Sequence, residues 1–165
     1  MTEFLVSMSD LFDLDSGKAR VAIVPYSSNV KRIRHLKDFK SNKELTDEIQ
    51  AIPFFKGKTA TGDALRAARK EVFRTKNGKR RGSNKVAIVI TDGVTTKGRK
   101  PKDTAKDLNK EDVTIISVGV KGATREELTE IAAGDEDKVV QIKDFKELKE
   151  KELEVFKLIE KIVCK

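Results

Sequence analysis

The sequence predicts an α/β fold: a three-layer, doubly wound, mostly parallel sheet with helices on both faces. Three observations carry that expectation. Strand-like apolar runs alternate with capped amphipathic stretches along the chain, the pattern of successive βα units. The run from Lys85 to Ile90 is apolar and β-branched without polar alternation, as in a strand buried on both faces of a parallel sheet. That run stops at Thr91-Asp92-Gly93, placing a hydroxyl and a carboxylate at a strand's carboxyl end, where open α/β sheets bind ligands.

A chain of 165 residues fits one domain with a proper core. Its 35 basic and 27 acidic residues give a net charge of +8. The two signs are interspersed, which describes a basic-tilted surface rather than a polycationic tail. No apolar run approaches the roughly 20 residues that cross a bilayer. Met1-Thr2-Glu3 leads into amphipathic sequence and not into a secretory signal. The single cysteine, Cys164, has no internal partner, which by itself points to a reducing compartment or to a partner outside this chain.

Taken in order, Phe4, Leu5, Met8, Leu11 and Phe12 recur at helical spacing, so 2–13 reads as an amphipathic helix that Asp15-Ser16-Gly17 ends. Residues 19–26 read as a strand, with Pro25 limiting pairing near its end. Ser27-Ser28-Asn29 turns the chain into an edge strand over 30–39, blunted by Lys31, Arg32, Arg34 and Lys37. Ser41-Asn-Lys-Glu44 is a capping box opening a helix through Ile49. A polar turn from Gly57 to Leu65 leads into a helix through Phe73, and 76–85 is a basic loop. After the 85–90 strand come a helix over 102–109, a strand over 113–120, a helix capped at Thr124 and a short strand over 138–142. A last helix spans 144–164, with Phe145, Leu148, Leu153, Phe156, Ile159 and Val163 as its apolar stripe.

Several segments match one family in its own order. They are Arg20-Val-Ala-Ile-Val-Pro-Tyr-Ser27, Gly57-x-Thr59-x-Thr61-Gly62-x-Ala64-Leu65, Val89-Ile-Thr-Asp-Gly93 and Ser117-Val-Gly-Val120. Glu127-Leu128 before Ile131-Ala132, and Asp144-Phe145 with a near-terminal cysteine, complete the set. On these residues the chain resembles the von Willebrand factor type A (vWA) domain, in the style of collagen VI and matrilin, over essentially its whole length. The resemblance implies a Rossmann-like fold and a divalent cation, Mg²⁺ or else Mn²⁺ or Ca²⁺, at a metal-ion-dependent adhesion site. Thr59 would supply a hydroxyl ligand, and Asp92 a carboxylate, directly or through water. A partner's acidic side chain would take an open position on the ion, since magnesium keeps an octahedral oxygen shell with exchangeable waters.

The departure from the family is large. Its first strand, ending in Asp-x-Ser-x-Ser, supplies the remaining ligands and lies between the strands at 20–27 and 85–91. No such strand is present here. The nearest match, Leu5-Val-Ser7-Met-Ser9, has leucine in place of the carboxylate and lies too near the next strand for a βαβ crossover. The resemblance therefore implies a single vWA domain over 1–165 that is incomplete at its N-terminus, with Met1 an internal methionine of a longer polypeptide. The missing segment would also carry the cysteine that pairs with Cys164. With two ligands only, this chain is expected to bind Mg²⁺ weakly or not at all.

The function so implied is a non-enzymatic adhesion module of a secreted or cell-surface protein, with extracellular-matrix proteins such as collagens as partners. The competing expectation is an intracellular vWA scaffold within a larger complex. A nucleotide enzyme is disfavoured, because a P-loop would need glycine where Ile52 stands. His35, the lone histidine, has no ligand-spaced partner, and no Ser-His-Asp or Cys-His set can be assembled. The 76–85 loop (Lys76, Lys79, Arg80, Arg81, Lys85) reads first as a solvated surface and second as an acidic-glycan contact. No interleaved aromatic supports nucleic-acid binding.

Overall fold

A computed structural model describes residues 2–53 and 55–163, with backbone alone at Phe145, Leu148, Lys149 and Val163. Cys164, and with it any statement on its pairing, lies outside the described residues. The elements are α1 (Thr2–Ser9), α2 (Asn42–Ala51), α3 (Thr61–Ala67), β1 (Lys85–Thr91), α4 (Pro101–Lys110) and β2 (Val113–Val120). They continue with α5 (Arg125–Ile131), β3 (Val139–Ile142), α6 (Phe145–Glu150) and α7 (Glu152–Val163). Among the described residues no helix is long and apolar enough to cross a membrane.

The three strands form one parallel sheet in the order β1-β2-β3. Period-2 alternation sends their side chains to two faces. On one face Ile116, Val118, Val140 and Ile142 pack with Phe4 and Met8 of α1 and with Val155 and Ile159 of α7. On the other, Val113 and Ile115 pack with Leu65, Leu108, Leu128 and Ile131 from α3, α4 and α5. The three-layer expectation holds. Gly119 is required by this packing: a Cβ there would stand 2.4 Å from Leu128 Cδ1, so α5 seats directly on the strand.

The strand expected to be buried on both faces is the one at the sheet's edge. From Lys85 to Ile90 every residue of β1 is half-buried, whereas Ile116 and Val118 beside it in β2 are fully buried. Among the described strands β1 pairs only with β2, so its other row of backbone groups has no ladder. Residues 19–26 and 30–39 do not form the two expected strands either. Two antiparallel bridges, Ile23 with Arg34 and Tyr26 with Val30, hold them as a loose hairpin. Ile23 exchanges both backbone bonds with Arg34 at 2.9 Å, while Pro25 has no N–H to extend the ladder. Ala22, Val24 and Tyr26 make no backbone hydrogen bond on their opposite side among the described residues. Unpaired on that flank, the segment stays extended without becoming a strand.

Three helical expectations also change. The 2–13 helix stops at Ser9, and the chain then turns so that Leu14 enters a third cluster with Phe39, Leu45 and Ile49. Asn42 fixes that turn, its side-chain amide donating to the Ser9 and Phe12 carbonyls at 3.1 and 2.8 Å. The helix expected through Phe73 leaves α geometry after Ala67 and closes in a wider π turn over Ala68–Val72. The last helix breaks at Lys151 into α6 and α7. Leu153, expected in its apolar stripe, is 60% exposed, and Val155 takes the buried place. Leu153 lies about 120° around α7 from Ile159, at roughly 100° per residue, and so falls off the face that Val155 and Ile159 share.

Candidate functional site

Three loops meet at the carboxyl end of the sheet. Thr91 closes β1 as a buried residue, its hydroxyl donating to the Gly93 carbonyl at 2.9 Å. This local turn releases Asp92 to solvent. The Asp92 carboxylate has no hydrogen bond or ion pair among the described residues. The second loop carries Thr59, whose backbone is fixed to the segment after β1. Its N–H donates to Thr96 Oγ1 at 3.1 Å, and its carbonyl accepts from the N–H groups of Thr96 (2.9 Å) and Lys97 (3.2 Å). A Cβ on Gly93 would stand 3.8 Å from Thr59 Oγ1, so the threonine hydroxyl looks onto the residue next to Asp92. The third loop, at 121–123, touches the same turn, because a Cβ on Gly122 would lie 3.2 Å from the Asp92 carbonyl.

The local chemistry of Thr59-x-Thr61-Gly62 explains this convergence. Ala60 donates its N–H to the Ser27 carbonyl at 2.9 Å, tying the loop to the end of the hairpin. Thr61 then opens α3 as a fully buried residue. Gly62 must be glycine, since a Cβ would come within 2.1 Å of the Arg99 carbonyl oxygen. Helix α3 can thus press its first turn against the loop that follows β1. Both sequence-predicted site residues, Thr59 and Asp92, are brought onto adjoining loops.

Other residues of the site were not evident from the sequence. Glu127 stands in the Thr124 cap, where Thr124 Oγ1 accepts from its N–H at 3.3 Å. Its carboxylate reaches away from the helix and accepts from the Thr95 N–H at 2.8 Å and the Thr95 hydroxyl at 2.5 Å. That bond braces the loop carrying Thr96, and no local spacing announces a contact 32 residues distant. Tyr26, half-buried, contributes a phenol whose buried hydroxyl, like that of Thr61, makes no hydrogen bond among the described residues. Burial pushes the Tyr26 pKa up; the nearby Thr61 and Thr91 hydroxyls pull it the other way, and the charges of Glu127 and Asp92 add to the rise. Ser7 and Ser9 lie on helix α1, not on a strand, and the Ser9 hydroxyl is committed to the Val6 carbonyl at 2.6 Å.

This donor set does not amount to a complete divalent-cation site. Thr59 and Asp92 offer one hydroxyl and one carboxylate, against the six oxygen ligands that magnesium takes. Among the described residues no three acidic, imidazole or thiol groups come together as metal ligands. The pair is a partial oxygen-donor corner. Two orphaned hydroxyls, those of Tyr26 and Thr61, lie buried close to it.

The family model for the von Willebrand factor type A domain matches residues 1–153. The chain is 31% identical over 147 residues to the collagen alpha-1(XII) chain of Notophthalmus viridescens, covering 86% of this chain and 15% of that one. It is 32% identical over 136 residues to matrilin-1 of Gallus gallus, covering 79% of this chain and 26% of that one. It therefore spans a minor part of the length of these curated relatives. Among solved structures, proximal thread matrix protein 1 from the mussel byssus superposes with a TM-score of 0.89 at 28% identity, over 96% of this chain and 41% of that one. A structure of that protein with a zinc-occupied MIDAS motif superposes with a TM-score of 0.86 at 31% identity, covering 96% of this chain and 39% of that one.

Proposed function

Because the chain belongs to the von Willebrand factor type A domain family, we propose that it is a non-enzymatic adhesion module of an extracellular-matrix protein. It engages matrix partners, collagens among them, through the loops at the carboxyl end of its sheet. The observation that carries this reading is the placement of Thr59 and Asp92. They sit on loops locked together by Thr96, with the carboxylate exposed and unsatisfied by the protein itself. A surface carboxylate that the fold positions but does not use is available to a partner. The matrix assignment is supported by the names of the relatives, which are collagens, a matrilin and a thread matrix protein.

We further propose that in the intact protein a strand from outside residues 1–165 lies beside β1 and completes the cation shell of Thr59 and Asp92. Two features support it. Among the described residues the outer edge of β1 is unpaired, although its side chains are apolar toward both faces. The flank of 22–26 also lacks backbone partners among the described residues. Divalent metal is then secondary for the 165-residue chain.

The test is surface plasmon resonance of the chain over immobilised fibrillar collagen, with and without chelator. Binding should survive chelation and fall strongly in Asp92→Lys combined with Thr59→Val. Unchanged binding by that double variant, with its unfolding midpoint preserved, excludes the carboxyl end as the contact surface.

A further inference from the structure

The opposite end of the sheet has a different chemistry. There the 75–85 loop is knitted to two other segments by its cations. Arg80 donates through Nη1 to the Gly17 carbonyl and through Nη2 to the Lys18 carbonyl, each at 2.5 Å. Arg20 returns the contact, its Nη1 donating to the Gly78 carbonyl at 2.7 Å. Lys37 Nζ donates to the Lys76 carbonyl at 2.9 Å, and Lys85 Nζ donates to the Glu111 carbonyl. Gly78 makes the knot possible: its φ is +102°, and a Cβ there would meet the Lys37 nitrogen at 2.6 Å.

Every one of these acceptors is a neutral carbonyl. The cations are oriented without being neutralised, and none of them forms an ion pair among the described residues. Elsewhere on the surface the arginines behave differently: Arg69 takes Asp107 and Glu111, Arg99 takes Asp63, and Arg125 takes Glu136. Lys79 and Arg81 have no side-chain partner at all among the described residues. Both line a groove of about 540 Å³ at the amino ends of β1 and β2, beside Arg80 and Lys85. Thr114 and Ile162 also line it, and Asp112 is its one acidic lining residue. Four cations against one carboxylate in a concave site concentrate positive potential there. Guanidinium and ammonium groups suit the tetrahedral oxyanions of a sulfate ester; Arg80 and Lys85 are anchored to carbonyls, and Lys79 and Arg81 keep their donors free among the described residues.

From this geometry we infer that the 75–85 groove is a binding site for a sulfated linear glycan. Nucleic acid is the disfavoured polyanion, because no aromatic side chain lines the groove on which a base would stack. The groove lies at the far end of β1 from Asp92, so it acts independently of the collagen-facing loops. A matrix module would then be able to hold a protein partner at one end and a glycan at the other.

The experiment measures the affinity of the full chain for a size-defined heparin oligosaccharide by fluorescence anisotropy over a range of sodium chloride concentrations. The affinity should fall with salt, as it does when charged contacts carry the binding. Lys79→Glu/Arg81→Glu should weaken binding about tenfold or more, because two contacting cations become two carboxylates that repel the sulfates. It should also flatten the salt dependence. Lys106→Glu/Lys146→Glu makes the same change in net charge at exposed sites away from the groove and should leave the affinity nearly unchanged. Lys79 and Arg81 support no other side chain, so unchanged unfolding midpoints are expected for the double variant. Equal weakening by both double variants would reduce the effect to net charge and overturn the inference. So would tighter binding of single-stranded DNA of matched charge, or undiminished binding of desulfated heparin.

Discussion

Thr59 and Thr96 exchange two hydrogen bonds, Thr59 N–H to Thr96 Oγ1 at 3.1 Å and Thr96 N–H to the Thr59 carbonyl at 2.9 Å. This reciprocal pair joins the loop before α3 to the loop after β1, and so sets where the Thr59 hydroxyl stands relative to Asp92. Replacing Thr96 by valine keeps the shape and removes the hydroxyl acceptor. Urea unfolding should show a loss of about 1 kcal/mol, and collagen binding should fall by more than that loss alone explains. A variant with wild-type binding would show that the loop pairing does not position the contact surface.

Gly62→Ala probes the same junction by crowding it. The added methyl would meet the Arg99 carbonyl oxygen at 2.1 Å and that of Lys100 at 2.8 Å, both backbone atoms that cannot swing aside. Overpacking against backbone should cost about 3 kcal/mol, read as a lowered midpoint in thermal denaturation followed by circular dichroism. A midpoint within a degree of wild type contradicts the close approach of α3 to this loop.

Tyr26 is the only tyrosine and the chain has no tryptophan, so tyrosinate absorbance reports on it alone. Its folded pKa is raised from the ordinary 10.0, first by burial. The unfolded chain ionises near the ordinary value while the folded chain resists. The Tyr26 contribution to stability is therefore fully present below the unfolded pKa and is lost as pH rises through the folded one. Tyr26→Phe should abolish that alkaline decline. At neutral pH it should leave stability unchanged or raise it by about 1 kcal/mol, because the lost hydroxyl has no partner. A phenol titrating at the ordinary value in the folded chain would sink this account.

On α7 the two leucine-family positions separate cleanly. Ile159 is 2% exposed and Leu153 is 60% exposed. Ile159→Ala should cost about 3 kcal/mol, and Leu153→Ala should stay within about 0.5 kcal/mol, both by chemical denaturation. Equal costs would mean that Leu153 is buried beside Ile159 and would contradict the packed face of α7.

Isothermal calorimetry with Mg²⁺ should show no saturable heat below roughly 0.1 mM for the 165-residue chain, since one carboxylate and one hydroxyl leave the cation to its waters. Saturation in the low micromolar range would contradict the partial site.

Much of this architecture was legible in the residues themselves. The apolar run at 85–90, the caps at Ser41 and Thr124, and the strand at 113–120 are local patterns. Each is fixed by propensity, periodicity or a hydrogen bond within four residues, as when the Ser41 hydroxyl accepts from the Glu44 N–H at 3.2 Å. Thr59 and Asp92 were singled out by the family resemblance and not by any local spacing; the structure sets their loops side by side through Thr96. What the residues could not announce was anything set by contacts between distant segments. The Glu127 carboxylate turning to Thr95 is one case, the Arg80 guanidinium finding the carbonyls at 17–18 is another, and the helix break at Lys151 is a third. The fate of β1 shows the division most plainly. Its side chains specify a strand covered on both faces, and that specification is intrinsic to the sequence. Whether a neighbour stands on each flank depends on which other segments fold against it, and among the described residues only β2 pairs with it. A backbone edge carries no side-chain code of its own, so only the tertiary structure decides whether it is paired.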